Sequence, residues 1–107
     1  MHIISIINTL RSIPVFSGFN QLELEQFAKA FKVKGVTQNT VITKEGSIEP
    51  SLNIVLNGHF QESALNHRNE KKVLSILTNG DCFGEMSLLT SKPQSSTVQS
   101  CANGTIA

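Results

Sequence analysis

The segment FGEMSLLTSKPQSSTV at residues 83–98 is the most informative part of this sequence. Residues 85–89 are good helix formers, and the next helix breaker is Pro93, so we predict one or two helical turns between strands. Amide groups at the start of such a turn are unpaired and carry partial positive charge, and Gly84 lets the backbone approach a ligand closely. The segment predicts an anion cradle, although the same local pattern also fits an ordinary connection.

The segments around this turn have the pattern of short β-strands. They are rich in β-branched and aliphatic residues, and we predict strands at 40–43, 52–56, 60–65, 72–77, 96–101 and 105–107. Turn signals rich in Gly and Asn separate them, and residues 66–70 form a predicted hairpin tip. Regular short strands of this kind predict a barrel, a sandwich or a jelly-roll-like β-roll.

Two helices precede the predicted strands. Apolar residues at 3, 6, 7, 10 and 13 share one helical face, and Pro14 ends that helix. Asn20 is a predicted N-cap of a second helix, with Glu23 in a capping-box relation to it. The predicted fold class is therefore mainly β with flanking N-terminal helices.

Length and composition predict a single globular domain over residues 1–107. The chain of 107 residues has 39% hydrophobic and 16% charged residues and a net charge of +1, so bulk charge indicates neither nucleic acid nor an anionic membrane as a partner. The apolar N-terminus is too short for a membrane span. The two cysteines, Cys82 and Cys101, have no metal-site spacing and are predicted to be buried, reduced thiols of a cytoplasmic protein.

The whole run from Phe83 to Val98 resembles the phosphate-binding cassette of the cyclic nucleotide-binding domain family. That family's pattern is roughly F-G-E-(apolar)-(A/S)-L-L, a gap, and P-R-(A/S/T)-(A/S)-T-V, and here the run departs only at Gln94, where the family has arginine. Elsewhere, residues 13–19 are similar to the family's P-L-F-x-G-L entry and residues 41–46 to its V-I-x-x-E-G motif. The resemblance covers roughly residues 10–107 and implies a double-stranded β-helix with a short phosphate-cassette helix.

The resemblance also implies which residues bind a ligand. The expected ligand-binding set is Phe83, Gly84, Glu85, Met86, Ser87, Gln94, Ser95 and Ser96. Glu85 would accept a hydrogen bond from the ribose 2′-hydroxyl, because an ionised carboxylate is an acceptor only. Backbone amides of residues 84, 86 and 87 would surround the ribose and cyclic phosphate, and the two serines would contact the phosphate or the base edge. The family's helices after the roll are expected to be absent here.

The departure at Gln94 leaves three interpretations open. Glutamine has no charge and no guanidinium fork, so cyclic AMP or cyclic GMP would bind weakly, with another cation such as Lys92 standing in. Alternatively, the cassette accepts a different, less charged ligand. In the third interpretation the pocket is degenerate, and the domain acts in protein–protein contacts, either as a homodimer or within a larger regulatory protein. A solvated Lys92 is the plainer expectation for that side chain.

Enzymatic activity and other cofactors have little support in the sequence. His2, His59 and His67 form no ligand set of the kind that a metal enzyme of the cupin type needs. No serine lies in a G-x-S-x-G context, and no helix-turn-helix for DNA is evident. We therefore predict a regulatory module that is not an enzyme, has no metal or cofactor, and has a cyclic nucleotide as its possible ligand.

Overall fold

The structure is a computed structural model that describes residues 2–49, 51–84 and 92–107. Helix α1 (His2–Arg11), a 3-10 helix (Pro14–Phe16) and helix α2 (Gln21–Ala28) come first. The described strands follow as β1 (Lys34–Val36), β2 (Val41–Thr43), β3 (Asn53–Asn57), β4 (Phe60–Leu65), β5 (Lys71–Leu77), β6 (Cys82–Phe83), β7 (Thr97–Ser100) and β8 (Gly104–Ile106).

The described strands form two antiparallel sheets. One has the order β1-β8-β3-β6 and the other β2-β7-β4-β5, so strands numbered one to four alternate with strands numbered five to eight within each sheet. The predicted fold class, a mainly β roll preceded by helices, is confirmed. The sheets leave one buried face each, and these faces meet in a core formed by Val36, Val55, Phe60, Phe83, Val98 and Ile106.

The two helices pack on the first sheet through a second core. Leu10 and Ile54 are fully buried in it, together with Leu24 at 2% exposure. The predicted capping box is confirmed, because the Asn20 side chain accepts from the Glu23 backbone while the Glu23 carboxylate accepts from the Asn20 backbone. The two helices therefore pack against the roll through apolar contacts with β3.

Several local predictions need correction. Strand β1 was not predicted, because Gly35 fits the end of a helix; its partner is β8, at the other end of the chain. The strand expected at 96–101 ends at Ser100, and Cys101, which follows it, is exposed. Cys82 is half-buried, so the prediction that both thiols are buried is wrong. The predicted cassette helix at 85–89 lies outside the described residues. None of the described helices is long and apolar enough to cross a membrane.

Candidate functional site

Gly84 begins the candidate site in a conformation that requires glycine. Strand β6 pairs with β3 through Phe83 and Asn53, which brings the next residue, Gly84, against the loop before β3. Gly84 has φ of 87°, and a Cβ atom there would overlap the carbonyl oxygen of Ser51. Glycine therefore permits a close approach by the protein's own backbone at this position, and the approach of a ligand to Gly84 stays a prediction.

Gln94 lies at the other described end of the cassette, and its main chain is fixed to a turn. Its amide donates to the Ser47 carbonyl oxygen at 2.8 Å, and its own carbonyl accepts from the Gly46 amide at 2.9 Å. Gln94 is 7% exposed, and its Nε2 atom donates to the Glu49 carbonyl oxygen at 3.3 Å and to Ser51 Oγ at 3.4 Å. The side chain is therefore occupied by bonds to the loop between β2 and β3.

Ser51 connects the two described ends of the cassette. Its carbonyl oxygen packs on Gly84, and its Oγ accepts from Gln94 and, at 3.1 Å, from the Asn53 side chain. Gly84 and Gln94, which lie on either side of the cassette residues outside the description, thus both contact the loop between β2 and β3. This arrangement holds the frame of the site without any charged group among these contacts.

The two serines after Gln94 have different surroundings. Ser95 is exposed, whereas Ser96 is 8% exposed and its Oγ donates to Glu62 Oε2 at 2.7 Å. The other Glu62 oxygen, Oε1, accepts from Ser75 Oγ at 2.9 Å. The structure therefore brings a carboxylate from β4 into contact with the cassette.

Sequence reasoning did not single out Glu62 as a site residue. A signal was present, since strand alternation places Glu62 on the same face as Phe60, which is fully buried. An acidic residue in phase with a core phenylalanine is unusual, because a buried charge requires hydrogen-bonding partners. That pattern identifies Glu62 as a candidate site residue.

The remaining predicted site residues are partly described. Phe83 is 3% exposed and packs in the core with its ring centroid 6.4 Å from that of Phe60, so it anchors the start of the cassette. Its ligand contact stays a prediction. Glu85, Met86 and Ser87 lie outside the described residues, and their predicted roles stay predictions.

A polar cleft of about 400 Å³ lies beside Gln94. Its lining includes Ser51, Glu49 and three lysines, Lys32, Lys34 and Lys44. All three lysines are exposed, as is Lys92. The lysines of this cleft, from outside the cassette, therefore place positive charge on the same side of the molecule as residue 94.

No metal centre is evident in the described part of the chain. Among residues 2–49, 51–84 and 92–107, no three histidine, cysteine, aspartate or glutamate side chains come together as a candidate metal site. The described site residues present hydroxyl, amide and carboxylate groups, which form the hydrogen bonds given above.

Comparison with known proteins defines the class to which this fold and site belong. The family model of the cyclic nucleotide-binding domain matches residues 33–107, and the chain belongs to that family. Among curated proteins it is 29% identical over 89 residues to a cAMP-dependent protein kinase regulatory subunit of Yarrowia lipolytica, covering 83% of this chain and 23% of that protein. The regulatory subunit of Debaryomyces hansenii is 30% identical over 90 residues, covering 84% and 19%.

Solved structures agree with the family assignment. The regulatory domain of Toxoplasma gondii PKA, crystallised with cAMP, matches with a TM-score of 0.87 at 27% identity, covering 98% of this chain and 40% of that chain. The chain thus spans less than a quarter of the length of the two curated relatives. Its fold is that of a cyclic nucleotide-binding domain, and the relatives named here are regulatory subunits or domains.

Proposed function

We propose that this chain is a ligand-sensing regulatory module that binds cyclic AMP or cyclic GMP weakly through residues 83–98. The observation that carries this proposal is the position of Gln94, which puts a buried neutral amide where the family pattern has arginine. The frame that presents the cassette is retained, because Gly84 and Gln94 are both held on the loop at Ser51. The cAMP bound to the Toxoplasma relative supports a ligand of this class.

The expected weakness follows from the strength of the lost interaction. A neutral hydrogen bond contributes about 0.5–1.5 kcal/mol net, whereas a hydrogen bond to a charged group contributes about 1.5–3 kcal/mol. The deficit at residue 94 is therefore on the order of 1 kcal/mol or more, and larger where the phosphate is partly desolvated. At about 1.4 kcal/mol per tenfold, affinity for a cyclic nucleotide falls by roughly ten to a thousandfold.

The other site roles are part of the same proposal. Glu85 accepts the ribose hydroxyl, the amides of Gly84, Met86 and Ser87 surround the sugar and phosphate, and the serines at 95–96 complete the site. Phe83 supports this arrangement from the core. The module has no catalytic role, acts within a larger regulatory protein, and belongs in a reducing cytoplasmic compartment, which the thiols of Cys82 and Cys101 support.

Isothermal titration with cyclic AMP and cyclic GMP tests the proposal on wild type, Gln94→Arg and Gln94→Lys. Wild type is expected to bind weakly, and the arginine variant at least tenfold more tightly. The lysine variant falls between them, because its point charge lacks the planar fork. Arginine without any gain in affinity contradicts the proposal, and so does tight binding by wild type.

A second candidate function is docking to protein, and a specific surface favours it. Val41, Gln99, Gln61 and Ile76 are directly paired across the second sheet, so their side chains form one row on one face. The two apolar ends of this row are exposed, Val41 at 50% and Ile76 at 52%. A degenerate site with homodimerisation through this row predicts no cyclic nucleotide binding and a dimer in sedimentation that Ile76→Lys disrupts.

A further inference from the structure

Glu62 lies on the face of β4 that points between the two sheets. Its direct partners are Val98 on β7 and Ser75 on β5, and Val98 is in turn paired with Thr43 on β2. These four side chains form one row across the second sheet, in which Thr43 is 8% and Val98 1% exposed. Three of the four residues in this inward row are therefore polar, and one of them, Glu62, is an acid.

The Glu62 carboxylate is oriented by hydroxyl groups. Ser96 Oγ donates to Oε2 at 2.7 Å and Ser75 Oγ to Oε1 at 2.9 Å. Hydroxyl donors are neutral, so they orient the carboxylate and leave its negative charge in place. Each carboxylate oxygen keeps a second lone pair that can accept from a ligand.

The negative charge of Glu62 lies beside the segment that would contact a cyclic phosphate. The family pattern brings the phosphate to residues 94–96, and here that segment has a neutral Gln94 and a Ser96 hydroxyl already bonded to a carboxylate. Like charges repel strongly when water is partly excluded, which is the condition at Ser96 with 8% exposure. The neutral amide of Gln94 and the carboxylate of Glu62 therefore both act against an anionic ligand.

We propose that Glu62 is a specificity-determining residue that makes this site prefer a neutral purine nucleoside to the cyclic phosphate of the same nucleoside. The inference rests on the proposed function, because it takes the cassette as a binding site for a ribose and a base. A nucleoside offers ribose hydroxyls and base N–H groups as donors, which suit an acceptor-only carboxylate. It also brings no negative charge against Glu62.

The test is titration of guanosine, adenosine, cyclic GMP and cyclic AMP against wild type, Glu62→Gln and Glu70→Gln. For at least one of the two bases, wild type is expected to bind the nucleoside at least tenfold more tightly than the cyclic phosphate of that nucleoside. Glu62→Gln keeps the size of the side chain, removes its charge and replaces one acceptor oxygen by an N–H donor. It should narrow that ratio at least fivefold. Glu70→Gln removes the same charge at the tip between β4 and β5 and should leave the ratio unchanged.

A second variant separates the two charge effects and guards against a local folding defect. The double variant Glu62→Gln with Gln94→Arg should bind cyclic nucleotides more tightly than Gln94→Arg alone, with a melting curve that shows the folded state. Cyclic nucleotides that bind wild type as tightly as nucleosides, or a ratio that Glu62→Gln does not move, overturn the role of Glu62 and leave the proposed function standing. Absence of binding by all four compounds to every variant overturns both.

Discussion

The backbone amide of Gln94 donates to the carbonyl oxygen of Ser47 at 2.8 Å. The next bond, from the Gly46 amide to the Gln94 carbonyl oxygen at 2.9 Å, completes a two-bond bridge between the cassette and the turn after β2. Because both bonds use main-chain atoms, residue 94 keeps its place whatever side chain it has. Substitutions at this position therefore test the side chain and not the path of the chain.

Gln94→Ala is expected to lower the free energy of unfolding by about 1 kcal/mol. The change removes the side-chain bonds to Glu49 and Ser51, and a typical neutral hydrogen bond contributes about 0.5–1.5 kcal/mol net. Urea unfolding followed by circular dichroism measures the change. Gln38→Ala is the control, because Gln38 is exposed and such surface changes stay within about 0.5 kcal/mol. Equal stability of the two variants would contradict a structural role for the Gln94 amide.

Gly84→Ala should destabilise the domain more than Gly46→Ala. Both glycines have positive φ, 87° and 85°, so alanine costs about 1–2 kcal/mol of backbone strain at either position. Only at Gly84 would the new methyl group meet backbone, that of Ser51, while the space around Gly46 is open to 4 Å. We expect a further loss of about 1–3 kcal/mol at Gly84 from this overlap. Equal midpoints in urea would show that Ser51 moves aside freely.

Ser100→Ala is expected to cost about 1–3 kcal/mol of stability, the penalty for a buried group that loses its partner. Ser100 is 1% exposed, and its Oγ donates to the Thr37 carbonyl at 2.6 Å and accepts from the Thr40 amide at 2.8 Å. These bonds hold the turn between β1 and β2. Thermal unfolding measures the loss, with the exposed Ser95→Ala as the control. A similar melting temperature for both variants would refute the assignment.

Asn20→Ala should destabilise the protein by about 0.5–2 kcal/mol through loss of the N-cap of α2. The Asn20 Oδ1 atom accepts from the Glu23 amide at 2.9 Å, and alanine leaves that amide without its acceptor. Asn20→Ser is the matched variant, since serine caps helices about as well as asparagine. Denaturant titration should show a loss for alanine alone, and equal losses for both variants would contradict the capping role.

Local features of this protein were largely predictable. The capping box at Asn20 and Glu23 needs only four consecutive residues, and the strand predicted at 60–65 has the bounds of β4. Asn39 adopts a left-handed φ of 67°. Asparagine is among the few residue types other than glycine that adopt this conformation readily, because a short polar side chain can hydrogen-bond locally. Strand β1 was missed because its three residues, Lys34–Val36, are too few to show the alternation of polar and apolar residues that predicts a strand. They form a strand because they pair with β8.

By itself the sequence determined the class of fold, the family and the neutral substitution at Gln94, because each follows from residue types at fixed spacings along the chain. Only the tertiary structure decided that Ser51 fills the space beside Gly84 and that the Glu62 carboxylate bonds to Ser96. These contacts join segments that are distant in sequence, and they depend on the register of β3 with β6 and of β4 with β7. A shift of one residue in either register would reverse which side chains face the site, and the pairing of these distant segments forms only in the folded chain.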